Sequence, residues 1–248
     1  MVVGEGTGGV DRVARVWAWV SEYAGSRDTT DSVGALCETM VARLGVSGAW
    51  LTVFGSRQTS DERYTTGELA VRLADLQVMV GEGPSADARR TGGPVLVPVL
   101  DAQEVQRRWP LFVPLAVEAG ARALFTLPLS VGAIRLGVLA LYRVERGPLP
   151  PDGLADSLIF AGLARQLLLA EKDGLLLGEH GAAGLGYRLS NPRIHQATGM
   201  IAGQLGVGVE EAFARLRARA FADHRPLAEV AADVVTRHLR FEPGGETE

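Results

Sequence analysis

A glycine-rich segment near the C-terminus divides the chain into two unequal parts, and this division constrains the fold more than any other feature. Residues 173–190 read DGLLLGEHGAAGLGYRLS, and five of these eighteen residues are glycine. Glycine loses the most backbone freedom on folding, so such a segment is typical of a linker and not of a helix or strand. The chain of 248 residues is therefore expected to hold a larger N-terminal domain and a small C-terminal domain of about 50 residues.

The pattern of apolar residues predicts where these parts begin and end. Val13, Val16, Trp17 and Val20 recur at helical spacing before the larger domain, which predicts an amphipathic helix. The expected regions are a loose start and amphipathic helix at 1–28, the larger domain at 29–171, the linker at 172–190, the small domain at 191–241 and an acidic tail at 242–248.

Strand-like and helical segments alternate in the larger domain. Runs rich in β-branched and aromatic residues predict strands, and the last two are separated by only six residues, which favours an antiparallel hairpin over a parallel crossover. We therefore expect an α+β fold with a largely antiparallel sheet. The predicted strands are Ala49–Phe54, Val95–Val99, Arg122–Leu129 and Leu136–Arg143. The predicted helices are one capped by Thr30 and Asp31 that runs to about Leu44, a short one near Ser85–Arg90, one around Val105–Glu118 and one from Pro150 to about Glu171.

The small domain has the pattern of three short helices. Pro192 marks the start of the first and Gly206 its end, the second begins near Val209, and Pro226 opens the third. Each has one apolar face, and three such faces can share a single small core. A core of this size is marginal on its own, so it needs a partner chain or the larger domain for support.

Composition and charge exclude several classes of protein. A hydrophobic content of 47% excludes wholesale disorder, and no apolar run approaches the roughly 20 residues of a membrane helix. We expect a cytoplasmic protein with no membrane contact, since Cys37 is the single cysteine and cannot form an internal disulfide. The net charge is −4, yet residues 190–241 hold seven arginines against five acidic residues, so a positive excess is confined to the small domain.

The larger domain resembles the GAF domains of bacterial signalling proteins. The resemblance rests on VGEGPSADARRTGGPV at 80–95, RWPLF at 108–112 and FTLPLSVGAIRLGVLALYR at 125–143. It implies a central antiparallel sheet with helices on one side and a pocket for a small molecule on the opposite side. Many such domains have cysteine after the Gly-Pro pair, where this chain has Ser85, so this position offers no thiol for sensing.

The small domain resembles the ANTAR domain over nearly its whole length. IHQATGMIAGQLGVGVEEAFARLRARAFADHRPLAEVAADVV at 194–235 contains the Ala-x-Gly turn at Ala197 and Gly199 and the Glu-Ala-aromatic start at Glu211. The resemblance implies an RNA-binding domain that promotes transcription antitermination by holding paired stem-loops in a leader transcript. Many members have lysine where this chain has Thr198, which removes one candidate phosphate contact.

RNA recognition needs cations for phosphates and planar or hydrogen-bonding groups for exposed bases. Polar residues that fall mostly off the predicted apolar faces of the small domain offer both. The alternative is an ordinary solvated face on which Glu211 and Arg215 form an ion pair between successive helical turns. The candidate RNA-binding residues are Arg193, His195, Gln196, Thr198, Gln204, Arg215, Arg217 and Arg219.

The larger domain lacks the residues from which most active sites are built. No histidine precedes His180, so neither a Ser-His nor a Cys-His nucleophile can form there, and haem or iron–sulfur clusters would lack ligands. We expect no catalytic residues, no metal and no cofactor. An unidentified small molecule is still expected to bind in the GAF-like pocket, for which the candidate residues are Met79, Trp109, Phe125, Leu127 and Tyr142.

Three functions are compatible with this sequence. The first is an RNA-binding antitermination regulator controlled by a GAF-like sensor, acting as a homodimer without catalysis. The second is a DNA-binding transcription factor, because three short helices can also form a helix-turn-helix module. The third is a ligand-binding or signalling enzyme whose C-terminal helices serve for dimerisation.

Overall fold

The computed structural model of the chain describes residues 7–27, 31–54, 60–172 and 192–242. In these residues an antiparallel five-stranded sheet with flanking helices is followed by three C-terminal helices. The predicted α+β class is thus confirmed. The loose start, nearly all of the predicted linker and the end of the acidic tail lie outside the described residues.

The strands pair in the order β2-β1-β5-β4-β3, with every pairing antiparallel. The predicted hairpin is present as β4 and β5, in which Ala123 lies opposite Arg143. The strand β1 pairs with β2 along one edge and with β5 along the other. In the second pairing Gly48 lies opposite Tyr142. The strand bounds are β1 Gly48–Phe54, β2 Ser60–Thr65, β3 Val95–Val97, β4 Ala123–Val131 and β5 Ile134–Arg143.

Seven helices of the larger domain are described. The predicted single helix over Val105–Glu118 is two helices, because Pro110 has no backbone N–H and disfavours helical geometry at Trp109, which is extended with φ −136°. The strand β2 and the helix α3 were not predicted. The helix bounds are α1 Thr7–Arg27, α2 Ser32–Leu44, α3 Glu68–Val80, α4 Pro84–Thr91, α5 Gln103–Arg108, α6 Phe112–Glu118 and α7 Pro151–Lys172.

Two hydrophobic cores lie on opposite faces of the sheet, and each face is covered by helices, so the expectation of helices on one side only is corrected. The first joins the sheet to α1, α2 and α7 through residues such as Leu36, Phe125 and Phe160. The second joins it to α3–α6 through residues such as Trp50 and Phe112. Because successive side chains of a strand point to opposite faces, neighbouring positions in β4 and β5 serve different cores.

The helix α7 packs as a core helix of this domain. Its segment Pro151–Ala170 is long and apolar enough to cross a membrane by length and composition, but Phe160 and Ala164 are fully buried against the first core. Asp156 of α7, also buried, accepts hydrogen bonds from Arg12 at 2.9 Å and Arg15 at 3.2 Å on α1. These contacts are those of a helix inside a folded domain.

The three predicted C-terminal helices are α8 Pro192–Leu205, α9 Val209–Ala222 and α10 Leu227–Val235. Gly206 ends α8 with φ +67°, a conformation that glycine adopts without steric cost. Their apolar faces enclose one core, which includes Ile201, Leu216 and Val230, all fully buried. Val78 and Met79 from the end of α3 pack against this same core.

Candidate nucleic-acid interface and sensor core

The outer face of α8 presents three of the predicted RNA-binding residues. Arg193, His195 and Gln196 are exposed, whereas Ala197 and Ile201 turn into the core. Helical periodicity places the polar and apolar residues on different sides. This face therefore offers a guanidinium, an imidazole and an amide to solvent.

Two further predicted residues of α8 are engaged within the chain. Thr198 is 5% exposed and its hydroxyl donates to the carbonyl of Ile194 at 2.7 Å. A hydroxyl that is buried and bonded to its own helix cannot reach a phosphate, so the assignment of Thr198 to the RNA surface is corrected. Gln204 is half-buried, and its side-chain oxygen accepts a hydrogen bond from the backbone N–H of Phe241 at 3.0 Å.

Arg215 and Arg219 lie one turn apart on α9 and both pair with acidic residues of the small domain. Arg215 donates to Glu211 at 2.9 Å and Arg219 to Asp223 at 2.7 Å. Ion pairs on an exposed surface contribute little free energy. Either guanidinium can therefore exchange its carboxylate for a phosphate at small cost.

Arg217 extends in a different direction, towards the larger domain. Its Nε–H donates to the backbone carbonyl of Met79 at 2.9 Å, and its guanidinium lies over the ring of Phe213 at 5.8 Å. Burial lowers the pKa of Arg217 from its ordinary value. Helical spacing places Arg217 off the side shared by Arg215 and Arg219, but no signal in the sequence pointed to Met79.

The candidate pocket residues do not surround one cavity. Phe125 and Leu127 belong to the core beside α1, α2 and α7, whereas Trp109 and Tyr142 belong to the core on the other face of the sheet. Met79 lies between that second core and the C-terminal helices. The expectation of one shared pocket is corrected, because alternation along β4 directs Phe125 and Leu127 away from the other three residues.

Two buried hydroxyls in the larger domain were missed by sequence reasoning. Thr126 on β4 is fully buried, and neither its hydroxyl nor that of Ser85 at the start of α4 has a hydrogen-bond partner in the part of the chain that is described. Gln77 of α3 accepts a hydrogen bond from the backbone N–H of Ser85 at 2.7 Å. The α4 helix packs against β4, so both hydroxyls belong to the side of the sheet that carries the second core.

The remaining reactive groups have structural surroundings. Cys37 is fully buried in the first core, and burial raises the pKa of its thiol far above the ordinary value. Within residues 7–27, 31–54, 60–172 and 192–242, no group of three or more histidine, cysteine, aspartate or glutamate residues is placed to hold a metal ion.

Comparison with known proteins identifies the two domains separately. Residues 189–235 match the family model described as the ANTAR domain, and a search of curated proteins finds no match. Among solved structures, the chain is similar to the GAF domain of a phosphoenolpyruvate-protein phosphotransferase from Coxiella burnetii, with 13% identity, a TM-score of 0.50 and coverage of 69% of this chain and 99% of that one.

Two other solved structures are similar to the chain at lower TM-scores. A GAF domain from an Acinetobacter phosphoenolpyruvate-protein phosphotransferase has 10% identity and a TM-score of 0.49, covering 67% of this chain and 97% of that one. The free methionine-R-sulfoxide reductase from Neisseria meningitidis has 15% identity and a TM-score of 0.44, covering 66% and 87%. At these identities the likeness to solved structures concerns the fold alone. The chain thus joins an N-terminal domain of GAF fold to an ANTAR domain at residues 189–235, and it has the GAF-ANTAR architecture.

Proposed function

We propose that this chain is an RNA-binding transcription antitermination regulator, in which the GAF domain controls an ANTAR domain that holds paired stem-loops in leader RNA. The observation that carries the proposal is the match of residues 189–235 to the ANTAR domain. The cations exposed on α8 and α9 support it, because RNA loops are recognised through phosphates and splayed bases. The regions of the chain are proposed to be those given by the sequence, with residues 172–190 as the linker.

The charge of the ANTAR domain favours weak binding by a single copy. Seven arginines face five acidic residues in 190–241, and Arg215 and Arg219 must each release a carboxylate before binding phosphate. Two linked copies on two adjacent stem-loops would raise the effective concentration of the second contact. The proposed active form is therefore a homodimer in the cytoplasm.

The GAF domain is proposed to sense a small molecule without catalysis. The hydroxyls of Thr126 and Ser85 support a polar ligand on the α3–α6 side of the sheet, because a buried hydroxyl without a partner costs free energy that a ligand can recover. No histidine is present in the chain before residue 180, so the usual nucleophile-base pairs are not available in this domain.

A gel-shift assay tests the proposal directly. The full chain is titrated against a paired stem-loop RNA and against duplex DNA of equal length and charge at the same salt concentration. Tighter binding to the RNA is expected. Preferential binding to the duplex DNA would favour a DNA-binding transcription factor, and binding to neither would favour a ligand-binding or signalling protein that acts without nucleic acid.

Charge reversal on α9 locates the contact surface. The double variant Arg215→Glu and Arg219→Glu is expected to lose RNA binding, because both guanidinia are replaced by repelling carboxylates. The matched control is Arg72→Glu with Arg107→Glu, which makes the same change in net charge at exposed positions of the GAF domain. Equal binding by the parent and the α9 variant, with unchanged circular dichroism, would exclude this side of α9 from the contact.

A further inference from the structure

The end of α3 in the GAF domain is bound to α9 of the ANTAR domain. Arg217 crosses to the carbonyl of Met79, one of the last four carbonyls of α3, which have no partner within their own helix. The C-terminal end of a helix carries partial negative charge and favours a cation. The Nε–H of Arg217 is therefore hydrogen-bonded by the other domain, at a helix end that favours a cation.

The surroundings of this contact are closely packed. Val78 and Met79 pack on the ANTAR core beside the half-buried Phe213. Gly81, which ends α3 with φ +74°, lies so close to the guanidinium of Arg217 that a Cβ atom there would overlap it. The contact thus combines apolar burial with a directed hydrogen bond.

The turn that follows α3 ties this contact to the interior of the GAF domain. Gln77 accepts the hydrogen bond from the N–H of Ser85, and Glu82 accepts hydrogen bonds from the N–H groups of Leu111 and Phe112 at 2.6 and 2.9 Å. Phe112 is fully buried in the second core. A rearrangement of that core would move the α3–α4 turn and with it the carbonyl that Arg217 binds.

From this geometry we infer that Arg217 is an autoinhibitory latch: the end of α3 holds it away from RNA, and movement of the α3–α4 turn releases it to bind a phosphate. The inference rests on the proposed RNA-binding function. On another side of α9, Arg215 is exposed and Arg219 is half-buried, so the docked form keeps partial affinity. Release adds one cation to the RNA contact.

The latch is tested from the GAF side by Val78→Asp in the full chain. Val78 packs on the ANTAR core, and an aspartate there would bury an unpaired charge in the docked form and favour opening. The matched control is Val71→Asp, the same substitution at an exposed position of the same helix. Hydrogen exchange of the α9 amides reports opening without any RNA, and circular dichroism checks that each variant folds.

Separation of α9 from the end of α3 is expected to speed hydrogen exchange of the α9 amides. This should occur in the Val78→Asp and Arg217→Ala variants but not in Val71→Asp. One added phosphate contact should tighten binding of stem-loop RNA by about fivefold at 0.15 M salt and steepen the salt dependence by ~0.7 to 0.9 in log–log slope. Only Val78→Asp should show this gain, and adding Arg217→Ala to it should remove the gain.

Two results would overturn the latch. One is an unchanged rate of α9 amide exchange in both Val78→Asp and Arg217→Ala. The other is faster exchange in Val78→Asp without tighter RNA binding, in an assay in which the parent does bind RNA. If neither the parent nor any variant binds RNA, the proposed function fails. The exchange rates of the two variants then decide on their own whether Arg217 holds the domains together.

Discussion

Asp75 is a carboxyl group whose surroundings oppose its charge. It lies on α3, half-buried, and burial raises its pKa from 3.8 to about 6. Between these two pH values the folded protein keeps a proton that the unfolded chain has released. Asp75 thus contributes stability that is fully present below about pH 4 and is lost as the pH rises through about 6.

Replacing the Asp75 carboxyl by an amide should remove the loss of stability that occurs as the pH rises. Asp75→Asn is expected to unfold at higher urea concentration than the parent at pH 7, with a gain of at most about 3 kcal/mol, because one pKa unit corresponds to about 1.4 kcal/mol. At pH 4 the difference should largely disappear. Urea unfolding of both proteins at the two pH values measures it, and an equal difference at both would show that the ionisation of Asp75 has no part in the effect.

The elements that sequence alone predicted are those with a repeating apolar pattern or a clear terminal signal. Asp31 accepts a hydrogen bond from the N–H of Gly34 at 2.8 Å and starts α2 as expected, and the β4–β5 hairpin and the three ANTAR helices follow their apolar spacing. The strand β2 reads SDERYT, a polar run without alternation, at the edge of the sheet. The helix α3 lacks a capping side chain at Gly67 and buries the polar Gln77, but Ala70, Leu73 and Ala74 recur at helical spacing and Gly81 ends the helix. Its signals were therefore present in the sequence and were missed.

The candidate site was predictable only where it depends on local sequence pattern. The exposed residues of α8 and α9 follow from the period of a helix, which is a local property. The contact of Arg217 with Met79 joins positions 138 residues apart, and the separation of Phe125 from Trp109 depends on which face of the sheet each helix covers. No local pattern contains either fact.

The helix α8 contains a glycine that the described structure does not require. A Cβ atom at Gly199 would meet no atom within 4 Å, and the residue lies inside the helix. Gly199→Ala is therefore expected to raise the free energy of unfolding by ~0.5 to 1 kcal/mol, since alanine loses less backbone entropy in a helix. Gly137→Ala is the control, because its Cβ would overlap the carbonyl oxygen of Thr52 and should destabilise the protein. Urea unfolding measures both, and a destabilised Gly199→Ala would mean that another surface covers this position.

At the scale of the whole molecule, α1 and α7 leave apolar side chains in solvent. Trp17 and Val13 on α1 are about two-fifths exposed, and Leu158 on α7 is 49% exposed, whereas Val16 and Val20 of the same α1 stripe are buried. The two helices pack on the same core and are joined by the Arg12–Asp156 ion pair. This surface fits the expected homodimer, since association would bury the exposed apolar groups.

A charge on this surface should therefore separate the two copies. Light scattering of the parent is expected to give about twice the chain mass of 26.3 kDa, and Trp17→Glu should return the particle to the mass of one chain, because an unpaired carboxylate resists burial. Ile134→Glu, at a 63% exposed position of the β4–β5 hairpin, is the control and should remain dimeric. A parent of 26.3 kDa at micromolar concentrations would contradict the dimer.

The pairing of β1 with β5 determines when the GAF domain can fold during synthesis. Gly48 pairs with Tyr142, which is 94 residues later in the chain. At a translation rate of roughly 5 to 20 residues per second, Tyr142 is synthesised about 5 to 20 s after Gly48. During that time one edge of β1 has no native partner, and an unpaired strand edge is open to association with other chains. The ANTAR helices contact one another within about 40 residues, and they follow all five strands of the sheet in the chain. The ANTAR domain thus emerges from the ribosome only after the strands of the sheet, against which its docking helix α3 packs, have all been made.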